Sequence, residues 1–345
     1  MKENVDICIK YMNCTLQFIT NDINLYEDIK EEYEKYFEFS ENISEAKVKI
    51  KVLNDSELYM KYFDKIRKNK NKRSYIFYEI RRNNVIIIDS RKKEVYVIYN
   101  EYTDERLQHV EEIMIAIFGK EIEDRGYYFI HASCVSKTNK GIAILGNNNT
   151  GKTSLMLKFV QNNYDFIANT QIGIRNHKEE FECIAIPTRP GIRIGTLKNN
   201  VVKEKYIKGI RRSRGFFERF GNEEIAKLEK YEREKFNLKL NEFEQIFNVK
   251  LLKNTNIKLF IEPHFISKFN NIDIVKIENC EIMETLRSNR RNGIYQSVPY
   301  IEHLYNDYKA NEKTDIIYNN KMKFYKLYYG EKAENEILKT ISKMI

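Results

Sequence analysis

A strand-like apolar run that leads directly into a glycine-rich loop constrains the fold of this chain more than any other feature. Residues 141–145 read "GIAIL", residues 146–153 read "GNNNTGKT", and the helix-like run "SLMLKFV" follows. Glycines allow such a loop to fold around an anion with its backbone N–H groups pointing inward, and the next helix adds its positive N-terminal end. The pattern therefore predicts a phosphate-binding loop in an α/β core.

This loop supplies the candidate nucleotide-binding residues. Lys152 is expected to reach the β- and γ-phosphates, and the hydroxyl of Thr153 is expected to bind Mg²⁺. An Asn- and Gly-rich turn without a ligand is the alternative, but the flanking strand and helix favour the binding loop. The residues predicted to bind the cofactor are Gly146, Asn147, Asn148, Asn149, Thr150, Gly151, Lys152, Thr153 and Ser154.

The strand expected after the loop lacks the acids that phosphoryl transfer requires. Transfer to a hydroxyl needs a carboxylate for the metal and a base for the acceptor. The segment "YDFIANTQIGI" instead places Asn169, Thr170 and Gln171 at this point. An amide does not take a proton from a hydroxyl at neutral pH, and it binds Mg²⁺ less well than a carboxylate does. The candidate substitutes, between which the sequence does not decide, are Glu179, Glu180 and Glu262.

Composition indicates a folded chain of 345 residues, 42% of them hydrophobic and 32% charged. No apolar stretch reaches the length of a membrane span and no signal-peptide core is present, so we expect a cytoplasmic protein with no membrane partner. The five cysteines lack metal-binding spacing and are expected to be buried thiols. A net charge of +9 favours phosphate-rich or acidic ligands, although a solvated Lys-rich surface explains the same value.

Two regions are expected along the chain. Residues 1–100 predict a small N-terminal α/β domain whose last third forms three antiparallel strands. Residues 101–345 predict a P-loop nucleotide-binding domain with a helical C-terminal region. Its first helix is expected to begin at Thr103 or Asp104 and to end at Gly119. Continuous strands are predicted for "YYFIHASCV" and "FIANTQIGI", and the Tyr-rich C-terminal segment is predicted to be helical.

The segment from His131 to Ile174 resembles the catalytic core of the HPr kinase/phosphorylase family, and more closely the HPr-kinase-like proteins of bacterial peptide-modification gene clusters. In "FIHASCV", His131 matches the histidine that precedes the loop in that family, and "GNNNTGKTS" matches the loop. The resemblance implies a mixed-sheet P-loop core of the phosphoenolpyruvate-carboxykinase-like type, ATP and Mg²⁺ as ligands, and phosphorylation of a serine hydroxyl.

The same resemblance implies His131 and Lys152 as the candidate catalytic residues. It also shows where this chain departs from the family, whose aspartates act as base and metal ligand at the positions of Asn169, Thr170 and Gln171. A histidine between apolar residues on a strand is often an interior side chain, and this alternative to a role near the γ-phosphate stays open.

The expected function is ATP-dependent phosphoryl transfer to a hydroxyl of a peptide or small protein. The alternative is a nucleotide-binding regulator or scaffold for a partner biosynthetic enzyme, in which residues 169–171 mark lost chemistry. Arg189 and Arg193 are candidate contacts to the nucleotide, and "KGIRRSRGFFERF" is either a site for an acidic peptide or a solvated helix start. Nucleic acid is a secondary candidate. The acceptor, phosphorylase activity, homo-oligomerisation and the domain boundary stay open.

Overall fold

The computed structural model describes residues 4–68, 75–147, 150–177, 180–193, 196, 235–266, 268–290, 298–305, 323–330 and 334–345. The chain forms two compact units, residues 1–125 with 292–312 and residues 126–291 with 313–345. Both contain mixed sheets and helices, which confirms the expected α/β class. The first unit extends beyond residue 100 because the helix that follows packs on its sheet.

The first unit contains a seven-stranded sheet of order β3-β1-β2-β4-β7-β6-β5, in which β2, β4 and β7 are parallel neighbours. Its strands are β1 Val5–Tyr11, β2 Cys14–Thr20, β3 Glu38–Ser40, β4 Val48–Asn54, β5 Ile76–Arg81, β6 Asn84–Asp89 and β7 Glu94–Tyr99. Its helices are α1 Ile23–Tyr33, α2 Ser56–Lys68, α3 Asp104–Glu123 and a 3-10 helix at Pro299–Leu304. The three antiparallel strands expected at the end of this region are confirmed as β5, β6 and β7.

The helix α3 begins where its sequence predicts and ends later. The side chain of Thr103 caps it by accepting a hydrogen bond from the backbone N–H of Arg106 at 3.3 Å. The prediction that Gly119 ends this helix is wrong, because α3 continues to Glu123 and buries Ile122. Apolar packing of the last turn outweighs the weak helix propensity of one internal glycine.

A buried polar cluster lies between α3, β6 and the 3-10 helix of the first unit. His109 is fully buried; its Nδ1 lies 2.7 Å from the side-chain nitrogen of Asn84, and its Nε2 contacts the hydroxyl of Tyr300. Because an amide nitrogen only donates, Nδ1 accepts and Nε2 carries the proton. His109 therefore connects the 3-10 helix, through Tyr300, to strand β6, through Asn84.

The second unit contains a nine-stranded sheet of order β11-β9-β10-β16-β13-β12-β8, with β18 pairing with both β16 and β17. Its strands are β8 Tyr128–Ile130, β9 Ser133–Lys137, β10 Lys140–Ile144, β11 Asp165–Ala168, β12 Ile172–His177, β13 Glu180–Ala185, β14 Gly191–Arg193, β15 Lys235–Asn237, β16 Asn254–Phe265, β17 Ile272–Lys276 and β18 Phe324–Tyr329. Its helices are α4 Lys152–Gln161, α5 Leu240–Phe247, α6 Asn279–Ser288 and α7 Glu334–Ser342. Strands β14 and β15 form a separate antiparallel ribbon.

The C-terminal segment is less helical than its sequence suggests. Its Tyr-rich part forms β18, which is parallel to β16 and antiparallel to β17. The prediction that the Tyr-rich C-terminal segment is helical is wrong at residues 324–329, because aromatic side chains pair well across strands, and the rings of Phe324 and Phe260 stack with centroids 4.2 Å apart. The basic segment 208–220 lies outside the described residues.

Among the described residues, no helix is long and apolar enough to span a membrane. The four cysteines whose side chains are described are buried and free of disulfides, as expected for interior thiols. The closest approach between them is 3.8 Å, from Cys183 Sγ to Cys134 Sγ. Burial raises the pKa of the Cys183 thiol, so it stays protonated at neutral pH.

Candidate nucleotide-binding site

The glycine-rich loop connects β10 to α4, as the sequence predicts. Gly146 has φ of 120° and Gly151, at the N-terminal cap of α4, has φ of 95°. Residues with a Cβ rarely adopt such angles. A Cβ at Gly146 would lie 2.8 Å from Oγ1 of Thr150, and one at Gly151 would lie 2.7 Å from the hydroxyl of Tyr329. Both glycines are therefore required by the path of the backbone.

Lys152 is the first residue of α4, and its side chain folds back over the loop. It is only 7% exposed, and its Nζ donates hydrogen bonds to the carbonyls of Gly146 at 2.5 Å and Asn147 at 2.7 Å. The ammonium is thus held at the loop, where the sequence places it for phosphate binding. Its contact with a phosphate stays a prediction, and Asn148 and Asn149 lie outside the described residues.

Two segments that were predicted to be continuous strands are interrupted, and the residues at these breaks lie near the loop. The predicted strand "YYFIHASCV" is divided into β8 and β9 by His131 and Ala132, and "FIANTQIGI" is divided into β11 and β12 by residues 169–171. The two predictions of continuous strands are therefore wrong at these points. At the first break, the N–H of His131 donates to the backbone carbonyl of Asn289 at 2.7 Å instead of to a strand.

A cavity of about 360 Å³ opens beside the start of α4 and the two breaks. The described residues that line it include three basic side chains and no Asp or Glu. They are His131, Gly151, Lys152, Thr153, Ser154, Asn169, Thr170, Gly191, Arg193, Thr196 and Lys235. Arg193 lines the cavity and Arg189 does not, and the contact of either residue with a nucleotide stays a prediction. The described part of the wall therefore favours an anion.

Asn169 forms hydrogen bonds through both the oxygen and the nitrogen of its side-chain amide. Its Oδ1 accepts from the hydroxyl of Thr153 at 3.2 Å and lies 3.3 Å from the hydroxyl of Ser133, which donates over the shorter distance of 2.6 Å to the Asn169 backbone carbonyl. Its Nδ2 donates to the backbone carbonyl of Gly191 at 3.1 Å. The facing carbonyl fixes the orientation of the amide, because a carbonyl only accepts. Asn169 thus joins the start of α4 to the β14–β15 ribbon through a neutral group.

The lining residues do not fit a Mg²⁺ ion held by the protein. Proteins usually bind Mg²⁺ through one or two carboxylates together with substrate phosphates. Here Thr153, the predicted metal ligand, donates its hydroxyl proton to the side-chain oxygen of Asn169. No group of three or more His, Cys, Asp or Glu within the described part of the chain could hold a metal. The assignment of Thr153 to a metal stays a prediction.

The acids considered as substitutes are engaged elsewhere in the second unit. Glu180 accepts a hydrogen bond from the side chain of Asn256 and pairs with Lys258. Glu262 lies on β16 with Oε1 3.6 Å from Nε2 of His264. Neither carboxylate lines the cavity, and Glu179 lies outside the described residues. Among the lining residues that the structure describes, His131 is the one whose side-chain type most often serves as a general base in proteins.

Three residues at the site were not identified from the sequence. Asn289, at the C-terminal end of α6, is 6% exposed, and its Oδ1 accepts from the backbone N–H of Gly146 at 3.1 Å. Ser133 donates to the backbone carbonyl of Asn169 at 2.6 Å, and Lys235 reaches the cavity through its pairing with Arg193. The sequence next to "GNNNTGKT" gives no signal for Asn289 or Lys235, because both come from distant segments.

Comparisons with known proteins give limited information. No family model and no curated protein matches the chain. A solved structure that does match is titled "Structure of the Hpr(Ser) kinase/phosphatase from Coxiella burnetii", at 8% sequence identity and a TM-score of 0.28. The match covers 62% of this chain and 93% of that one.

Proposed function

We propose that this chain binds ATP through the loop from Gly146 to Ser154, and that the nucleotide acts as a regulatory or structural ligand for a partner enzyme. The observation that carries the proposal is the cavity at the start of α4, whose described wall contains Lys152, Arg193 and Lys235 and no carboxylate. Such a wall suits the charge of a triphosphate. It lacks the groups that use the triphosphate as a phosphoryl donor.

Local geometry supports the binding step. The N-terminus of α4 carries the positive end of the helix dipole and backbone N–H groups without intrahelical partners. Lys152 lies directly at that end, and Gly151 supplies the left-handed φ of 95° with which the loop enters the helix. These features match the requirements of a phosphate-binding loop.

Phosphoryl transfer to a hydroxyl of a peptide or small protein is the second candidate function. It is favoured by one observation, that His131 lines the same cavity as Lys152 and Thr153. A neutral imidazole can take the proton of an acceptor hydroxyl, a role that the amide of Asn169 cannot fill.

Calorimetric titration of the full-length chain with ATP tests the first proposal. We expect saturable binding to the wild type, a loss of at least about tenfold in affinity for Lys152→Ala, because a charged contact to phosphate is removed, and no change for Lys250→Ala. Lys250 is exposed and lies outside the cavity, so it controls for loss of charge. Absence of binding to folded wild-type protein would contradict the proposal.

Incubation with γ-labelled ATP and candidate peptides separates the two functions. We expect tight binding and no label transfer from the wild type. Transfer that disappears in both Lys152→Ala and His131→Ala would instead identify the second function, with His131 as the acceptor base.

A further inference from the structure

We infer that the site neutralises the phosphates with Arg193 and Lys235 instead of a magnesium ion held by the protein, so that ATP binds at least as tightly without Mg²⁺ as with it. The inference rests on the proposed ATP binding and concerns how the same site recognises its ligand. Asn169 is the first reason. Its amide hydrogen donates to the Gly191 carbonyl, and a carboxylate in this place would set two acceptors 3.1 Å apart.

Arg193 and Lys235 form a cross-strand pair of like charge. They are directly opposite in the antiparallel β14–β15 ribbon, and both line the cavity. Like charges directly opposite on neighbouring strands destabilise the pairing. The ribbon is held in place by Ile192, which precedes Arg193 in β14 and is fully buried, and by the Asn169 bond to Gly191. An anion at the cavity would offset the repulsion between the two basic side chains.

The charge of the site also acts against a metal. Lys152 lies on the loop side of the cavity and the basic ribbon contributes two more positive charges. A Mg²⁺ ion on the phosphates would add its charge to three cations without a carboxylate in the described wall to compensate. Removing Mg²⁺ leaves a more negative ligand for the same positive site, which strengthens the attraction.

Calorimetric titration of the full-length protein with ATP, in excess Mg²⁺ and in excess EDTA, tests the inference directly. We expect an affinity in EDTA that equals or exceeds, by up to about tenfold, the affinity in Mg²⁺. Binding that is measurably weaker in EDTA than in Mg²⁺ overturns the inference while leaving the proposed ATP binding intact. Binding in neither condition overturns the proposed function itself.

Substitutions in the ribbon test the roles of its two basic residues. Arg193→Gln and Lys235→Gln are each expected to weaken ATP binding in EDTA by about three- to tenfold, because each loses one charged contact. Arg287→Gln and Lys250→Gln remove the same charges from exposed positions outside the cavity and are expected to bind normally. Ribbon variants that bind ATP like these controls would overturn the assignment.

Thermal unfolding provides a readout that does not depend on the metal. Without nucleotide, Lys235→Gln is expected to melt at the same temperature as the wild type or higher, since the cross-strand repulsion is removed. With ATP and EDTA, its melting temperature is expected to rise less than that of the wild type. A variant that is less stable without ATP and equally stabilised by it would contradict the argument.

Discussion

At the residue scale, Asn169 explains how an amide can be required at a position where phosphoryl-transfer sites need an acid. Its oxygen accepts from Thr153 and its nitrogen donates to Gly191. A carboxylate could keep the first bond and would lose the second, because an ionised carboxylate only accepts. Replacing Asn169 by aspartate therefore changes the connection between α4 and the ribbon as well as the charge of the site.

Asn169→Asp is expected to lower the free energy of unfolding at neutral pH by about 1–3 kcal/mol, the range for a buried group facing a wrong partner. Repulsion from the Gly191 carbonyl and burial should raise the pKa of the new carboxyl above its unfolded value. The loss of stability is then absent below about pH 4, where the carboxyl group is protonated in both states. It grows as pH rises from the pKa of this group in the unfolded chain to its higher pKa in the folded protein. Urea unfolding of both proteins across this range measures the difference.

The matched control for that substitution is Asn42→Asp. The side chain of Asn42 is exposed, and its Oδ1 accepts from the backbone and hydroxyl of Ser44, which a carboxylate can also do. We expect little change in stability for this variant. If Asn169→Asp is as stable as the wild type at neutral pH, the described role of the Asn169 amide is wrong.

His109 offers a second prediction at this scale. Burial, with a smaller effect of Arg82 and Arg81, lowers its pKa to about 3. The unfolded chain takes up this proton near about pH 6.5, so stability is expected to fall with pH below that value by up to about 1.4 kcal/mol per unit. His109→Gln removes the titrating group and should flatten this dependence in urea unfolding between about pH 7.5 and 5. If the free energy of unfolding depends on pH equally strongly in the variant and in the wild type, folding does not lower the pKa of His109.

At the scale of secondary-structure elements, the sequence was most informative where its signals are local. The strand, the glycines and the helix of the phosphate loop were predicted because each signal lies within a few residues of the others. The breaks at His131 and Asn169 were not predicted, because the apolar runs continue through them and the partners that cause the breaks, Asn289 and Gly191, are distant in sequence. Lys235 was missed for the same reason.

Gly151→Ala is expected to lower the free energy of unfolding of the second unit by more than the cost of placing an alanine at a left-handed φ of 95°. A residue with a Cβ at a left-handed φ costs about 1–2 kcal/mol, and the Cβ here would lie 2.7 Å from the Tyr329 hydroxyl. The double variant Gly151→Ala/Tyr329→Phe should recover the steric part of the loss, as measured by urea unfolding.

Gly126→Ala is the control for this prediction. Gly126 has φ of 84°, and a Cβ there would meet nothing within 4 Å. The loss of stability in Gly126→Ala therefore measures only the cost of a left-handed φ for a residue with a Cβ. Equal losses for Gly126→Ala and Gly151→Ala would show that the contact with Tyr329 does not limit the loop.

At the scale of the whole molecule, the chain passes from one compact unit to the other three times, after residues 125, 291 and 312. Each unit therefore depends on the C-terminal third of the chain. The first receives the 3-10 helix with Tyr300, and the second receives β18 with Phe324. Neither contribution can be inferred from the local sequence, because both depend on pairing with segments far upstream.

Hydrogen exchange of two variants tests this division. Tyr300→Phe removes the hydroxyl that contacts His109 and is expected to reduce protection of α3 and β6. Phe324→Leu removes the stack on Phe260 and is expected to reduce protection of β16 and β18. Loss of protection that spreads equally over both units in either variant would contradict the division described.

The breaks in the two strands have a consequence for how readily this cavity can change its chemistry. Ladder hydrogen bonds hold β8, β9, β11 and β12 through backbone atoms on either side of the breaks. Residues within the breaks are outside that ladder, so their identity is limited by neighbouring side chains and by the ligand. A substitution within a break therefore disturbs local contacts, as expected for Asn169→Asp, while the paired strands on either side keep their register.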